Sequence, residues 1–215
     1  MEISDLSLID YEDGYELQER LAHEVADRSG PETLLLLEHP PVYTIGRNGD
    51  MNNVLHPSIE AVRVNRGGDV TFHGPGQLVG YPIIDLSTRG RDLHLFMRFL
   101  EEVLIRTAGD FGVDAYRLRG RAGVWTDRGK LVSIGVGIRR WVTMHGFALN
   151  VLSSSLDGFD QINPCGMKSC PVTSLEDESG SAISIKEVKS RILANFRPLL
   201  KDWLPRKVDR QNPEK

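Results

Sequence analysis

Apolar residues recur every three or four positions in three stretches of the chain, and they alternate or run unbroken over a few positions through most of the rest. That pattern predicts a few helices among many short strands. From Tyr15 to Arg28, Leu17, Leu21 and Val25 stand four apart between charged residues, an amphipathic helix ended by Ser29-Gly30-Pro31. Asp92 is placed to cap a second helix whose Leu93, Phe96, Met97, Leu100, Val103 and Leu104 form one stripe ending near Gly109. Lys186 to Trp203 reads as a C-terminal helix with Val188, Ile192, Phe196, Leu199 and Leu200 on one side, which Pro198 should kink or interrupt.

The strands follow from shorter runs. Ile3 to Ile9 is extended, Thr33 to Leu37 is too apolar for an edge, and Val42 to Ile45, Val62 to Asn65 and Leu78 to Ile84 follow. Asp114 to Leu118 and Val124 to Thr126 precede a hairpin turn, Asp127 to Lys130, and a strand from Leu131 to Ile138. Two further strands, Val142 to Met144 and Phe147 to Val151, complete the set. With no repeat or linker, we expect one α/β (α+β) domain over residues 1–204, a mixed sheet flanked by helices, and a frayed tail over 205–215.

Composition narrows the function classes. At 215 residues, 40% hydrophobic and 26% charged, the chain is large enough for a core with a pocket in it. No apolar run approaches the roughly 18 residues of a membrane span. The first residues are acidic where a secretory signal would be basic and then apolar, so a cytoplasmic location is expected. Two cysteines five positions apart, Cys165 and Cys170, suggest a reduced compartment and no disulfide framework.

The net charge of −4 is unevenly spread. Between Tyr116 and Arg140 stand seven cations (Arg117, Arg119, Arg121, Arg128, Lys130, Arg139, Arg140) against Asp127, whereas residues 1–30 hold nine carboxylates and two arginines. The basic segment is either a solvated face or a surface that steers an acidic protein partner. With 7% aromatic residues and a negative net charge, a nucleic-acid binder is not expected.

Candidate chemistry gathers around Arg66 to Leu86, RGGDVTFHGPGQLVGYPIIDL, which sets five glycines and two prolines beside Arg66 and His73. Such glycines let a ligand lie against the main chain, although a plain turn between strands has the same composition. It carries neither the G-x-G-x-x-G order of a dinucleotide site nor a Walker-type phosphate loop. Cys165, in Asn163-Pro164-Cys165-Gly166, is either a small buried hydrophobe or a nucleophile held open by its loop. Lys130 in a hairpin turn reads on its own as a surface charge. His73 and His145 are alternative activators of a thiol, and each would otherwise bond an acyl carbonyl or fix a loop. A zinc site from His73, His145, Cys165 and Cys170 lacks a recognised ligand spacing.

The order of residues says more than their composition. Three blocks, Arg66 to Leu86, Gly129 to Val151 (GKLVSIGVGIRRWVTMHGFALNV) and Ile162 to Leu175 (INPCGMKSCPVTSL), resemble the octanoyltransferase family of lipoate biosynthesis, in the family's order. The resemblance implies the fold of the biotin and lipoate protein ligases. It implies transfer of an octanoyl group from acyl carrier protein to a lysine of a lipoyl domain, in 2-oxoacid dehydrogenases or the glycine cleavage H protein. Cys165 then matches the nucleophile and Lys130 the lysine paired with it, while Cys170 matches nothing and should be dispensable. Substrate would be bound by Arg66, Gly67, Gly68, Asp69, Val70, Thr71, Phe72 and His73, by Ser133, Ile134 and Gly135, and by Gly146, Phe147 and Ala148, with His145 in support. Backbone donors in these stretches would hold the oxyanion. No cofactor, metal, nucleic acid or membrane is called for. An ATP-dependent lipoate or biotin ligase on the same fold is the alternative, and it would have no use for a nucleophilic cysteine.

Overall fold

In the computed structural model, which describes residues 1–167 and 170–206 and at Cys165 the backbone alone, the chain opens with strand β1 (Glu2–Leu8) and helix α1 (Tyr11–Ala26). Strands β2 (Thr33–Glu38), β3 (Val42–Ile45), β4 (Ala61–Arg63), β5 (Thr71–His73) and β6 (Gln77–Ile83) lead to helix α2 (Leu93–Gly109). Then come β7 (Tyr116–Leu118), β8 (Arg121–Trp125), β9 (Lys130–Arg139) and β10 (Val142–Asn150), a short helix α3 (Leu175–Ser179), and the helix α4 (Ile185–Trp203). Of the expected tail, residues from 207 on lie outside the described residues. No helix among the described residues is long and apolar enough to cross a membrane.

The expected mixed sheet is present, in the order β1-β2-β6-β10-β9-β8-β7, with β1 and β2 parallel and the other neighbours antiparallel. A second, three-stranded sheet, β4-β3-β5, was not expected. Its third strand comes from inside the glycine-rich stretch: Thr71–His73 pairs antiparallel with β3.

Both faces of the large sheet are covered, which is why β2 reads as an unbroken apolar run. Leu34 and Leu36 pack toward α2 and α4, in the same cluster as Phe96, Phe99, Val103, Ile192 and Phe196, and the Phe99 and Phe196 rings meet edge to face at 4.9 Å. Leu35 and Leu37 point the other way with Val79, Tyr81 and Ala148, against Leu17 and Leu21 of α1. Asp92 caps α2 as expected, accepting from the Leu95 amide at 2.8 Å.

Three local expectations are corrected. Helix α1 begins at Tyr11, not Tyr15; Gly14 sits inside it because a Cβ there would meet His39 Cε1 at 3.1 Å, and Glu12 and Asp13 favour its N-terminus. The two strands expected around Met144 and Phe147 are one, β10, which passes through His145 at φ 56°. There the His145 amide leaves the ladder to donate to the buried Gln18 side chain of α1 at 2.7 Å. Helix α4 is not interrupted at Pro198, since the carbonyl that proline leaves without a donor belongs to Ala194, which like Pro198 is exposed to water.

Candidate active site

Helix α1 covers only part of its face of the large sheet. Beyond its first turn, β6, β9 and β10 form a floor and residues 66–71 a roof over a cavity open at its mouth. The roof lies close because β9 is bare on that side. A Cβ at Gly135 would come within 3.0 Å of Arg66 Cδ, and one at Gly137 within 2.8 Å of the Asn65 carbonyl oxygen. Arg66 pins the roof from inside: Nη1 donates to the carbonyls of Gly67 and Asp69, and Nη2 to the carbonyl and hydroxyl of Thr44. Asp69 fixes its outer end, accepting from the Val70 amide at 2.7 Å and from Asn53 Nδ2 at 2.7 Å.

Of the residues singled out from sequence, Arg66, Gly68, Asp69, Val70, Thr71 and His73 line this cavity from the roof side, and Lys130, Ser133, Ile134 and Gly135 from β9. His145, Gly146, Phe147 and Ala148 line it from β10. Two do not. Phe72 turns away to pack with Tyr43 and Phe159 in a small separate core, as the alternation of a strand requires. Gly67 lies outside the lining, and its amide donates to the Val136 carbonyl at 3.0 Å. That amide is therefore no oxyanion donor, and Phe147 and Ala148 pair with strands on both sides. Tyr11 and Tyr81 also line the cavity and were missed from sequence. Tyr81 looked like one more core residue of β6, and Tyr11 lay ahead of the expected helix. Asp10 just before it, in extended conformation at the helix start, is the signal that would have moved that boundary.

The histidines are neutral. Burial holds His73 and His145 each down at about 3, helped by the Arg66 guanidinium, and holds His39 beneath them below its usual value. Bond partners then fix their protons. His73 donates from Nδ1 to Gln77 Oε1 at 2.7 Å, and His145 from Nε2 to Asn65 Oδ1 at 2.6 Å. His39 donates from Nδ1 to the Ile9 carbonyl at 2.7 Å, so its Nε2 accepts from the Tyr81 hydroxyl at 2.9 Å. With their only N–H committed, neither His73 nor His145 can donate to an acyl carbonyl, and both fix the pocket wall. Among the described residues no three His, Cys, Asp or Glu side chains gather where a metal could sit.

Lys130 is not the surface charge that its hairpin suggests. It is 2% exposed, with its ammonium 5.4 Å from the centre of the Trp125 ring. The segment Pro171 to Thr173 pairs with its backbone: the Lys130 amide donates to the Pro171 carbonyl at 2.8 Å and the Thr173 amide to the Lys130 carbonyl at 3.1 Å. That segment leaves the loop of Cys165, whose 3₁₀ turn Pro164–Gly166 is tied by the Asn163 amide to the Asn53 carbonyl at 2.7 Å. Gly166, at φ 69°, passes so near Asp69 that a Cβ there would lie 3.1 Å from its Oδ2. The loop thus meets the pocket wall at Asp69 on one side and at Lys130 on the other. The Cys165 side chain lies outside the described residues, and Cys170 is half-buried.

Part of the basic segment is paired within the fold. Arg117 bonds Glu101 and Glu102, Arg128 the Asp177 carbonyl, and Arg140 Asp27 at 2.7 Å, while Arg139 lies 3.8 Å from Glu19. Arg119 and Arg121 are exposed around the turn from β7 to β8, Arg121 over the Trp125 ring.

Comparison with known proteins agrees with this architecture. Residues 10–197 match the family described as lipoyl protein ligase A/B catalytic domain. An octanoyltransferase of Geotalea uraniireducens is 62% identical over 205 residues, covering 95% of each chain. A lipoate protein ligase from Thermoplasma acidophilum superposes with a TM-score of 0.64 at 18% identity, over 93% of this chain and 84% of that one. Biotin protein ligase from Aquifex aeolicus follows at 0.53 and 13%, over 96% and 71%. At such identities these two speak for the fold alone, whereas the family match and the 62% relative speak for kinship: the chain belongs to the lipoyl protein ligase A/B catalytic domain family, among its octanoyltransferases.

Proposed function

We propose that residues 1–204 form one catalytic domain that takes an octanoyl group from octanoyl-acyl carrier protein and transfers it to a lysine of a lipoyl domain, through a thioester on Cys165. The observation that carries this reading is Lys130, a lysine buried in the pocket wall and bonded through its backbone to the segment leaving the Cys165 loop. A thiol of pKa about 8.5 is only a few per cent ionised at neutral pH, and a nearby ammonium raises that fraction. In the first half-reaction the Cys165 thiolate attacks the donor carbonyl, the carbon–sulfur bond to the carrier's pantetheine breaks, and the departing thiolate takes a proton from Lys130. In the second, the amine of the acceptor lysine attacks the Cys165 thioester and passes a proton to the neutral Lys130, and the Cys165 thiolate leaves as the amide forms. Both steps start from an activated acyl group, so neither ATP, metal nor another cofactor is required. The substrates place the enzyme in the cytoplasm, with acyl carrier protein and the lipoyl domains of 2-oxoacid dehydrogenases and of the glycine cleavage H protein as partners.

The test is incubation with octanoyl-acyl carrier protein and an apo lipoyl domain, without ATP, followed by mass spectrometry. One octanoyl group should appear on the lipoyl-domain lysine, and with the carrier alone a hydroxylamine-sensitive octanoyl group should appear on the wild-type chain and not on Cys165→Ala. A requirement for ATP, or full transfer by Cys165→Ala, would overturn the reading.

A further inference from the structure

A second chamber lies behind the pocket, on the far side of a wall one side chain thick. It is open to solvent and runs from Glu12, Tyr15 and Glu16 of α1 to Arg47, Val62, Arg63 and Val64, of which Glu12, Glu16, Arg47, Val62 and Arg63 are exposed. Tyr11 lines both cavities. The rest of the wall is the pair His145 and Asn65, joined by the 2.6 Å hydrogen bond: His145 faces the pocket and Asn65 the chamber. Tyr15 backs this pair from the chamber, its ring 5.8 Å from that of His145.

The wall is stiff. Tyr11 is 7% exposed, its ring lies parallel to that of His73 at 6.2 Å and tilted against that of His39 at 5.1 Å, and it stands in the first turn of α1 where the backbone is fixed. The imidazole behind it is held by the strained φ of 56° at His145 and by the Gln18 bond to its amide.

We propose that Tyr11, with the His145–Asn65 pair, is the end stop that limits the length of the acyl chain, and that the chamber behind it is the space a longer chain would enter if the stop were removed. The inference rests on the acyl-transfer reading above, since it takes the occupant of the pocket to be a fatty acyl chain. A rigid aromatic wall excludes added methylenes by overlap, a sharper device than a pocket that merely offers them less contact. Lys130 and Asp69, beside the Cys165 loop, mark the reacting end of the cavity; His145, paired opposite Val136 six residues along β9 from Lys130, stands away from it, and Tyr11 is the lining residue shared with the chamber.

The experiment compares wild type, Tyr11→Ala and Tyr11→Phe, with Asn65→Ala as a second way of opening the wall should Tyr11→Ala fail to fold. Calorimetry measures the affinity of each for octanoate and for dodecanoate, and a transfer assay compares octanoyl- with dodecanoyl-acyl carrier protein. Tyr11→Ala should shift the dodecanoate-to-octanoate affinity ratio, and the corresponding transfer ratio, toward the longer chain by roughly tenfold or more, the scale on which a pocket discriminates added methylenes. Tyr11→Phe keeps the ring and should keep the wild-type ratio. An unchanged affinity ratio in the folded opened-wall variant overturns the end stop, as does an equal shift in Tyr11→Phe. Failure of wild type to transfer from either carrier would sink the acyl-transfer reading while the affinity ratios still decide the wall.

Discussion

Lys130 shows how far a single residue can depart from its local sequence. Asp127-Arg128-Gly129-Lys130 reads as a hairpin turn, and a lysine there should be in water. In the structure Lys130 opens β9 and its side chain turns inward across β8, so near that a Cβ at Gly123 would lie 3.0 Å from its Cε, while Pro171 to Thr173, forty-odd residues later, bonds along its backbone. No local pattern announces such a pairing, so only the family resemblance singled the residue out. If Lys130 lowers the thiol's pKa, the rate of Cys165 alkylation by iodoacetamide should rise with pH at a midpoint below that of an ordinary thiol. In Lys130→Ala, with the cation gone, the midpoint should move up toward about 8.5. Cys170→Ser in the background keeps the readout to one thiol. An unchanged midpoint would remove Lys130 from activation, and His73 and His145 would be poor substitutes, because burial holds both down at about 3, too low to take up a thiol's proton.

The elements were legible wherever one face of periodicity decided them. The stripe of α2, its Asp92 cap and the two-sided burial of β2 follow from apolar spacing alone. What misled was glycine, which reads as a breaker in sequence and here marks close approach. Gly14 makes room inside α1 for His39, and Gly146 lets β10 continue where two strands were expected. A Cβ at Gly146 would lie 2.3 Å from the Gly80 carbonyl oxygen and 2.6 Å from Pro82 Cδ, so β10 and β6 would have to part. Gly146→Ala should therefore destabilise by at least about 2 kcal/mol, beyond ordinary core overpacking because backbone must move. At about 2–4 °C per kcal/mol for a chain of this size, the calorimetric Tm should fall by roughly 4–8 °C or more. Gly109→Ala, at the end of α2 with nothing within 4 Å of the new methyl group, is the control and should hold or raise Tm. Equal Tm values for the two variants would mean that β10 and β6 tolerate the separation.

Across the whole molecule, the uneven charge of the sequence is in part an effect of reading it in a line. The acidic residues 1–30 and the basic segment meet in space: Arg140 bonds Asp27 and Arg139 approaches Glu19 across the α1 face. Arg117 is paired as well, with Glu101 and Glu102, while Arg119 and Arg121 stay exposed, and such neutralisation by distant residues is invisible to a count along the chain. The charge balance that does set a global property is buried. His39, His73 and His145 are all held below 6.5 by desolvation, His73 and His145 at about 3, so the folded chain excludes protons that the unfolded chain takes up. A unit or more above pH 6.5 both states are neutral at these positions and almost nothing is lost. As pH falls from 6.5 toward 3 the unfolded state alone gains protons, and folding stability declines with each step. This window opens before the carboxylates, whose folded values are lowered from 4.5 at Glu32 and from 3.8 at Asp177, begin to contribute. Urea denaturation at pH 8.5, 7.5 and 5 should give nearly equal stability at the first two and a clear loss at the third. His73→Gln, less stable at pH 8.5 for want of its ring packing, should lose less between 7.5 and 5 than wild type does. A wild-type curve flat down to pH 5 would mean that the buried imidazoles accept protons in place, and the neutral wall deduced from their bond partners would have to be given up.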